Sequence, residues 1–244
     1  MYTQLLTVEA KLFLRDKAAL LITLLIPLAL VAGFGMIPGF GDPSSDLGGQ
    51  AGTEFIASMG VALVIVLLGF QVLPVTLATY REKGILRRLG TTPASPVAVL
   101  AAQLVIYAVV AVVSAALVVG VAVLGFGQAT PRSLAWLVGV FVLGFAAACG
   151  IGLIIGAVAP TAKAGTGLAM LLFFPSLFLG GVYFPREAMP PLMQQICDLT
   201  PLGAAFASIR HAWQGTSVEV LHLGVLAAWA IVANLVAAKV FRWE

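Results

Sequence analysis

Ionisable side chains are scarce in this sequence, and the densest cluster is the stretch Tyr80-Arg81-Glu82-Lys83-Gly84-Ile85-Leu86-Arg87-Arg88-Leu89-Gly90-Thr91-Thr92-Pro93-Ala94-Ser95-Pro96. Five of its residues are charged, and Ile85, Leu86 and Leu89 form an apolar edge with Arg87 and Arg88 between them. Gly90 and then Pro93 end any helix there. The pattern predicts a short amphipathic helix that docks a soluble partner. A simple topological anchor would need the positive charges but not Glu82, the apolar edge or the defined stop. Catalytic patterns are missing elsewhere. No Gly-x-x-x-x-Gly-Lys-[Ser/Thr] loop is present to cradle ATP phosphates, and no Gly-x-Ser-x-Gly or His-Glu-x-x-His occurs. The two histidines, His211 and His222, read as packed or interfacial, and Asp42 and Asp46 as residues of a solvated Gly/Pro/Ser turn. An embedded protease or metalloenzyme is thereby disfavoured, and no cofactor or metal site is expected in the chain itself.

The elements that must position the cluster follow from composition. Hydrophobic residues make up 61% of the 244, charged residues 9%, and mean hydropathy is +1.09. A soluble domain carries roughly 25% charged residues, so most of this surface must face lipid. Stretches free of charge predict an all-α polytopic protein with six transmembrane helices, near Ala19–Met36, Phe55–Leu77, Val97–Leu124, Leu134–Val158, Gly165–Tyr183 and Glu219–Lys239. The third stretch is long enough to raise the question of two helices, but its flanks, rich in Gly, Pro and Thr, read as loops. With the N-terminus inside, ten of the 13 basic residues are cytoplasmic and only Arg132, Arg186 and Arg210 lie outside. This bias predicts that both termini are cytoplasmic, and it accounts for the net charge of +3 without a nucleic-acid partner. The first apolar run lacks a small-x-small cleavage site and is long enough to span, so a cleaved signal peptide is not expected. Cys149, within a span, and Cys197, outside, read as small buried apolar residues rather than a disulfide.

Segments outside the spans also carry pattern. Leu5, Val8 and Leu12 recur at helical spacing within residues 1–17, predicting an amphipathic helix lying on the cytoplasmic leaflet. Between spans five and six (residues 185–217), Met189, Leu192, Met193, Ile196 and Leu199 follow one helical repeat. Leu202, Ala205, Phe206, Ile209 and Trp213 follow a second, which begins at Pro201 and ends before Gly215. The expectation is a re-entrant helical hairpin, or else two helices on the membrane surface. Gly144, Ala148, Gly152 and Gly156 make a small-residue face on span four suited to close packing. Pro27, Pro74 and Pro175 predict kinks in spans one, two and five. The span centres hold almost no ionisable residue, which argues against a proton- or ion-driven carrier and for an external energy source.

The Tyr80–Pro96 stretch resembles the "R-E-x-G-T-L-x-x-L-x-x-T-P" segment of type-2 ABC exporter permeases, the bacterial membrane subunits of drug-resistance and polysaccharide or lipid exporters. The match covers Arg81, Glu82, Gly84, Leu86, Leu89, Thr92 and Pro93, and departs at Ile85, where the family often has Thr. Tyr183-Phe184-Pro185, Leu199-Thr200-Pro201-Leu202, Arg210 and Gly215 are similar to the family's closing pattern. The resemblance implies a single permease domain of the bacterial inner membrane that works as a dimer and is driven by a separate cytoplasmic ATP-binding subunit, which holds ATP and magnesium. It implies that Arg81–Leu89 couples the two, with Glu82, Arg87 and Arg88 making polar contacts and Ile85, Leu86 and Leu89 seating the helix. By the same analogy spans two and five line the pathway, which makes Gln71, Thr76, Phe173, Phe174, Ser176 and Phe178 candidate cavity residues. Packing alone explains the aromatic ones equally well. The expected cargo is a hydrophobic drug-like compound, with a lipid-linked glycan as the alternative within the class. An ion-driven carrier and a sensory or scaffold membrane protein are the alternatives outside it.

Overall fold

The computed structural model describes residues 2–44, 47, 49–85 and 96–240. An amphipathic helix α1 (Tyr2–Arg15) precedes the first long helix. Among the described residues six helices are long and apolar enough to cross a membrane: α2 (Lys17–Gly35), α3 (Gly52–Glu82), α4 (Val97–Gly125), α5 (Leu134–Val158), α6 (Ala162–Leu179) and α9 (Val220–Val240). Two shorter helices, α7 (Pro191–Leu199) and α8 (Pro201–Gln214), lie between α6 and α9. The only other regular pairing among the described residues is a two-residue antiparallel ladder, Pro43–Ser44 with Gln50–Ala51. The protein is an all-α, multi-pass membrane protein.

Helix α3 is the axis of the bundle. Of its apolar stretch 83% is buried, of α5's 56%, and of the other four spans' only 17–22%. The crossing of α3 and α5 is made possible by glycine. A Cβ on Gly152 would run into the carbonyl oxygen of Gly69, a Cβ on Gly69 would stand 2.5 Å from that of Ala148, and one on Gly156 would stand 2.8 Å from that of Leu77. The small-residue face of α5 is therefore spent inside the subunit. The opposite side of α5 packs on α9, where Asn234 Nδ2 donates to the Ala146 carbonyl at 2.9 Å. Nothing in the hydropathy pattern signals that bond.

Span limits differ from the sequence expectation in two places. Helix α3 runs on to Glu82, so Tyr80, Arg81 and Glu82 belong to its last turns rather than to a loop. It stops at Gly84, whose φ of +64° suits glycine. Helix α6 ends at Leu179, not Tyr183, because the chain turns at Gly180 and Gly181, the latter with φ +79°. The third stretch holds one helix. Pro27 and Pro74, read from the sequence as kink sites, each follow a π-helical turn, Leu21–Leu25 and Leu67–Val72 respectively. A proline ring crowds the carbonyl four residues earlier, here Thr23 and Phe70, and the widened turn makes room for it. Pro175 sits within a continuous α-helix.

The segment after α6 is pinned by charge. Arg186 makes two 2.6 Å hydrogen bonds to Asp198, and His222 Nε2 lies 3.3 Å from the same carboxylate. Arg210 pairs with Glu187 at 2.8 Å, donates to Gln50 at 2.9 Å and lies over the Phe55 ring. Burial alone would raise the Asp198 carboxyl, but the bonds and charges of Arg186 and His222 hold it below the usual range. Burial also pushes the Cys197 thiol up to about 11; both cysteines are buried and unpaired. Leu202, Ala205, Phe206, Ile209 and Trp213 all face the core, as their spacing predicts, and α8 packs against α3 and α5. On α7, by contrast, Leu192, Ile196 and Leu199 turn outward.

Candidate transport groove and coupling surface

Helices α2, α3 and α6 enclose a groove of about 680 Å³, within the range of sites for drug-sized molecules. Its α3 wall is mainly one stripe, Phe55, Met59, Leu63, Leu67 and Gln71, at intervals of four residues, with Ile56 beside it. Such a stripe drifts around a straight α-helix, and the wider π turn at Leu67–Val72 partly cancels the drift. Helix α2 contributes Ile22, Ile26, Leu30 and Phe34, and α6 contributes Met170, Phe173, Phe174 and Leu177. Gln71, half-buried, is the one amide in a mostly apolar lining, with the Tyr183 phenol a second polar group. An apolar trough with few hydrogen-bonding groups suits an amphipathic molecule.

The six pathway residues taken from the resemblance divide evenly. Gln71, Phe173 and Phe174 line the groove, with the two rings edge-to-face at 5.6 Å. Thr76, Ser176 and Phe178 do not. Thr76 lies past the π turn on another side of α3, where its hydroxyl donates to Val72 at 2.9 Å and accepts from Tyr107 at 3.0 Å. Ser176 donates to its own helix at Leu172, and Phe178 is exposed away from the groove. The α2 wall went unseen in the sequence, because an apolar first span reads the same whether it faces lipid or a cavity.

At the end of α3 the charged cluster is partly used within the chain. The Arg81 guanidinium donates to the Ala157 carbonyl at the end of α5. Glu82 Oε2 accepts from the Ala162 amide at 2.7 Å, at the first turn of α6. That turn has a second cap, Thr161, whose hydroxyl accepts from the Ala164 amide. A carboxylate at a helix N-terminus satisfies an otherwise free N–H and complements the helix dipole. Arg81 and Glu82 thus tie α3 to the α5–α6 turn. Gly84 and Ile85 follow, half-buried. Leu86, Arg87, Arg88 and Leu89 lie outside the described residues.

Helix α1 packs on α4. It does so through Glu9 and Phe13, which are buried, while Val8 and Leu12 face outward. The apolar spacing read from the sequence is therefore the outer stripe of α1, and the inner one carries a carboxylate.

Comparison with known proteins agrees with this architecture. The ABC-2 type transporter family profile matches residues 2–213, which include every span except α9. The chain belongs to this family. Its members are transport permeases, and membership implies an ATP-binding partner subunit. Two curated relatives are nodulation protein J of Rhizobium leguminosarum bv. viciae, 32% identical, and of Neorhizobium galegae, 31% identical, each over 94 residues. Those matches cover 38% of this chain and only 36% of each relative.

Proposed function

We propose that this ABC-2 permease moves a hydrophobic or amphipathic drug-like compound out of the cytoplasm or inner leaflet through the groove between α2, α3 and α6. The observation that carries this reading is the groove itself: its volume, apolar lining and single amide match such a cargo. Two copies, or one copy with a similar partner, would assemble with two ATP-binding subunits, which hold ATP and magnesium. Both termini lie in the cytoplasm of a bacterial inner-membrane protein, as the basic residues of the α3–α4 connection and of α1 favour. Helix α1 lies along that membrane surface with Val8 and Leu12 toward lipid, and α7–α8 form a hairpin entering the outer leaflet. The Arg81–Leu89 segment receives the ATPase. Because Arg81 and Glu82 also grip the α5–α6 turn, a push on this segment reaches α6, one wall of the groove. A lipid-linked glycan is the second reading, since the groove would take a lipid tail as readily as a drug.

The test is co-reconstitution with the ATP-binding subunit and measurement of cargo-stimulated ATP hydrolysis for wild type, Gln71→Leu and Phe173→Ala. Each variant should raise the cargo concentration for half-stimulation about tenfold, roughly the worth of one hydrogen bond or aromatic contact, while basal hydrolysis stays unchanged. Stimulation unaffected by both changes would place the pathway elsewhere. Transport that survives ATP depletion would return an ion-driven carrier as the answer.

A further inference from the structure

A second cavity, of about 190 Å³, lies between α1, α3 and α4 and is separate from the groove. Its lining is unusual for a membrane protein. Glu9, 7% exposed, enters it from α1 and accepts from the Tyr80 hydroxyl at 3.1–3.2 Å. Asp16 stands at the rim with one carboxylate oxygen capping Ala19. Gln103, 1% exposed, lines the cavity from α4, and both its amide nitrogen and its amide oxygen lack hydrogen-bond partners. The Tyr80 hydroxyl lies close to Gln103 as well, while its own proton is donated to Glu9. No Lys or Arg is among the lining residues.

An orphaned buried amide is destabilising, and a buried carboxylate with only a phenol beside it is also poorly compensated. Burial accordingly holds the Glu9 carboxyl above its usual range, against the pull of the Tyr80 bond. Glu9 and Gln103 Oε1 call for a donor and Gln103 Nε2 for an acceptor; a water meets all three needs, a bare cation only the first two. The aromatic walls, Phe13 edge-on to Tyr107 at 5.7 Å with Tyr80 beside them, favour an organic ammonium over a hydrated metal ion.

We propose that this cavity binds a compact primary ammonium carrying an oxygen acceptor a few bonds away, the chemistry of an ethanolamine phosphodiester. The source is either a membrane aminolipid headgroup or a soluble amine of the same kind. The lipid source rests on α1 lying at the membrane surface, as proposed above; the ammonium site does not. Occupancy would cement α1 to α3 and α4 just where α3 leaves the bundle toward the coupling segment.

The full chain, purified in detergent, is titrated with phosphatidylethanolamine and with phosphatidylglycerol of the same acyl chains, and adducts are counted by native mass spectrometry. Soluble glycerophosphoethanolamine, the same phosphodiester without acyl chains, is titrated separately. Ethanolamine lipid should bind in preference to glycerol lipid. Gln103→Leu and Glu9→Gln should each weaken that binding about ten- to a hundredfold, as loss of one or two charge-assisted hydrogen bonds would, and leave the glycerol lipid unaffected. Gln103→Leu should unfold at or above the wild-type temperature, since it removes an unsatisfied amide, so its loss of binding is not a loss of fold. Binding of the soluble amine alone, with the same dependence on Gln103 and Glu9, upholds the site and overturns the membrane-surface placement of α1. Equal binding of the two lipids with none of the soluble amine, or a preference that survives Gln103→Leu, overturns the proposal.

Discussion

Gly152→Ala tests the central helix crossing most directly. The added methyl meets the Gly69 carbonyl oxygen, which is backbone and cannot swing aside. A neighbouring approach in the same crossing gives the scale: a Cβ on Gly69 would lie 2.5 Å from that of Ala148, whereas carbons settle at about 3.5–4.0 Å. The helices must therefore part by roughly 1 Å. Overpacking of this kind costs about 1–3 kcal/mol, and a backbone obstacle sets the upper part of that range, about 2–3 kcal/mol. Alanine returns about 1 kcal/mol through its better helix propensity. The net loss of about 1–2 kcal/mol corresponds to a fall in midpoint of about 2–8 °C for a chain of this size. Gly139, on the same helix with nothing within 4 Å of its would-be Cβ, is the control. Gly139→Ala should raise the midpoint by about 2–4 °C. Heating each variant in detergent and measuring the surviving monodisperse fraction by size-exclusion chromatography gives both numbers. If Gly152→Ala rises alongside Gly139→Ala, the α3–α5 approach at Gly69 is wrong.

Three further outcomes are expected. Asp198→Asn should loosen α7 by about 1–3 kcal/mol, since Arg186 loses its bidentate partner and His222 its neighbour, and proteolysis of residues 185–217 should quicken. Because the folded Asp198 carboxyl titrates below its unfolded value, its stabilisation is present above about pH 4 and lost as pH falls through the folded value. Hydrogen-exchange protection in α7, taken relative to the intrinsic rate at each pH, should therefore fall in acid in wild type and change less in Asp198→Asn. Glu82→Ala should cost about 1 kcal/mol by uncapping α6, whereas Glu82→Gln keeps an acceptor for Ala162; a coupling defect in the Gln variant, measured as cargo-stimulated ATP hydrolysis, therefore isolates the charge.

The spans were legible because lipid imposes a simple requirement, about 20 apolar residues without charge, and all six appear where that requirement is met. Helices α7 and α8 were legible through their apolar repeats, the second bounded by Pro201 and Gly215. Much less could be read of what the helices do with their faces. In lipid an apolar residue is equally suited to the outside, the core or a cavity, so hydropathy could not tell that α3 is central or that α2 walls the groove. Thr76 illustrates the limit. It is five residues from Gln71 and polar, as a pathway residue should be, yet the turn between them carries it to Tyr107. Glu9 and Gln103 were invisible for the opposite reason: single polar residues in ordinary flanks become a site only when two helices bring them together.

The π turns before Pro27 and Pro74 give α2 and α3 each a residue beyond what an α-helix over the same path would need. A one-residue deletion within Leu21–Leu25 or Leu67–Val72 can be absorbed by closing the turn to α geometry, with both ends of the helix kept in register. The same deletion in the regular stretch Gly52–Val66 would rotate everything on one side of it by about 100°, taking the Phe55–Gln71 stripe off the groove. Tolerance of length change in these spans should thus be confined to the short segments just before Pro27 and Pro74.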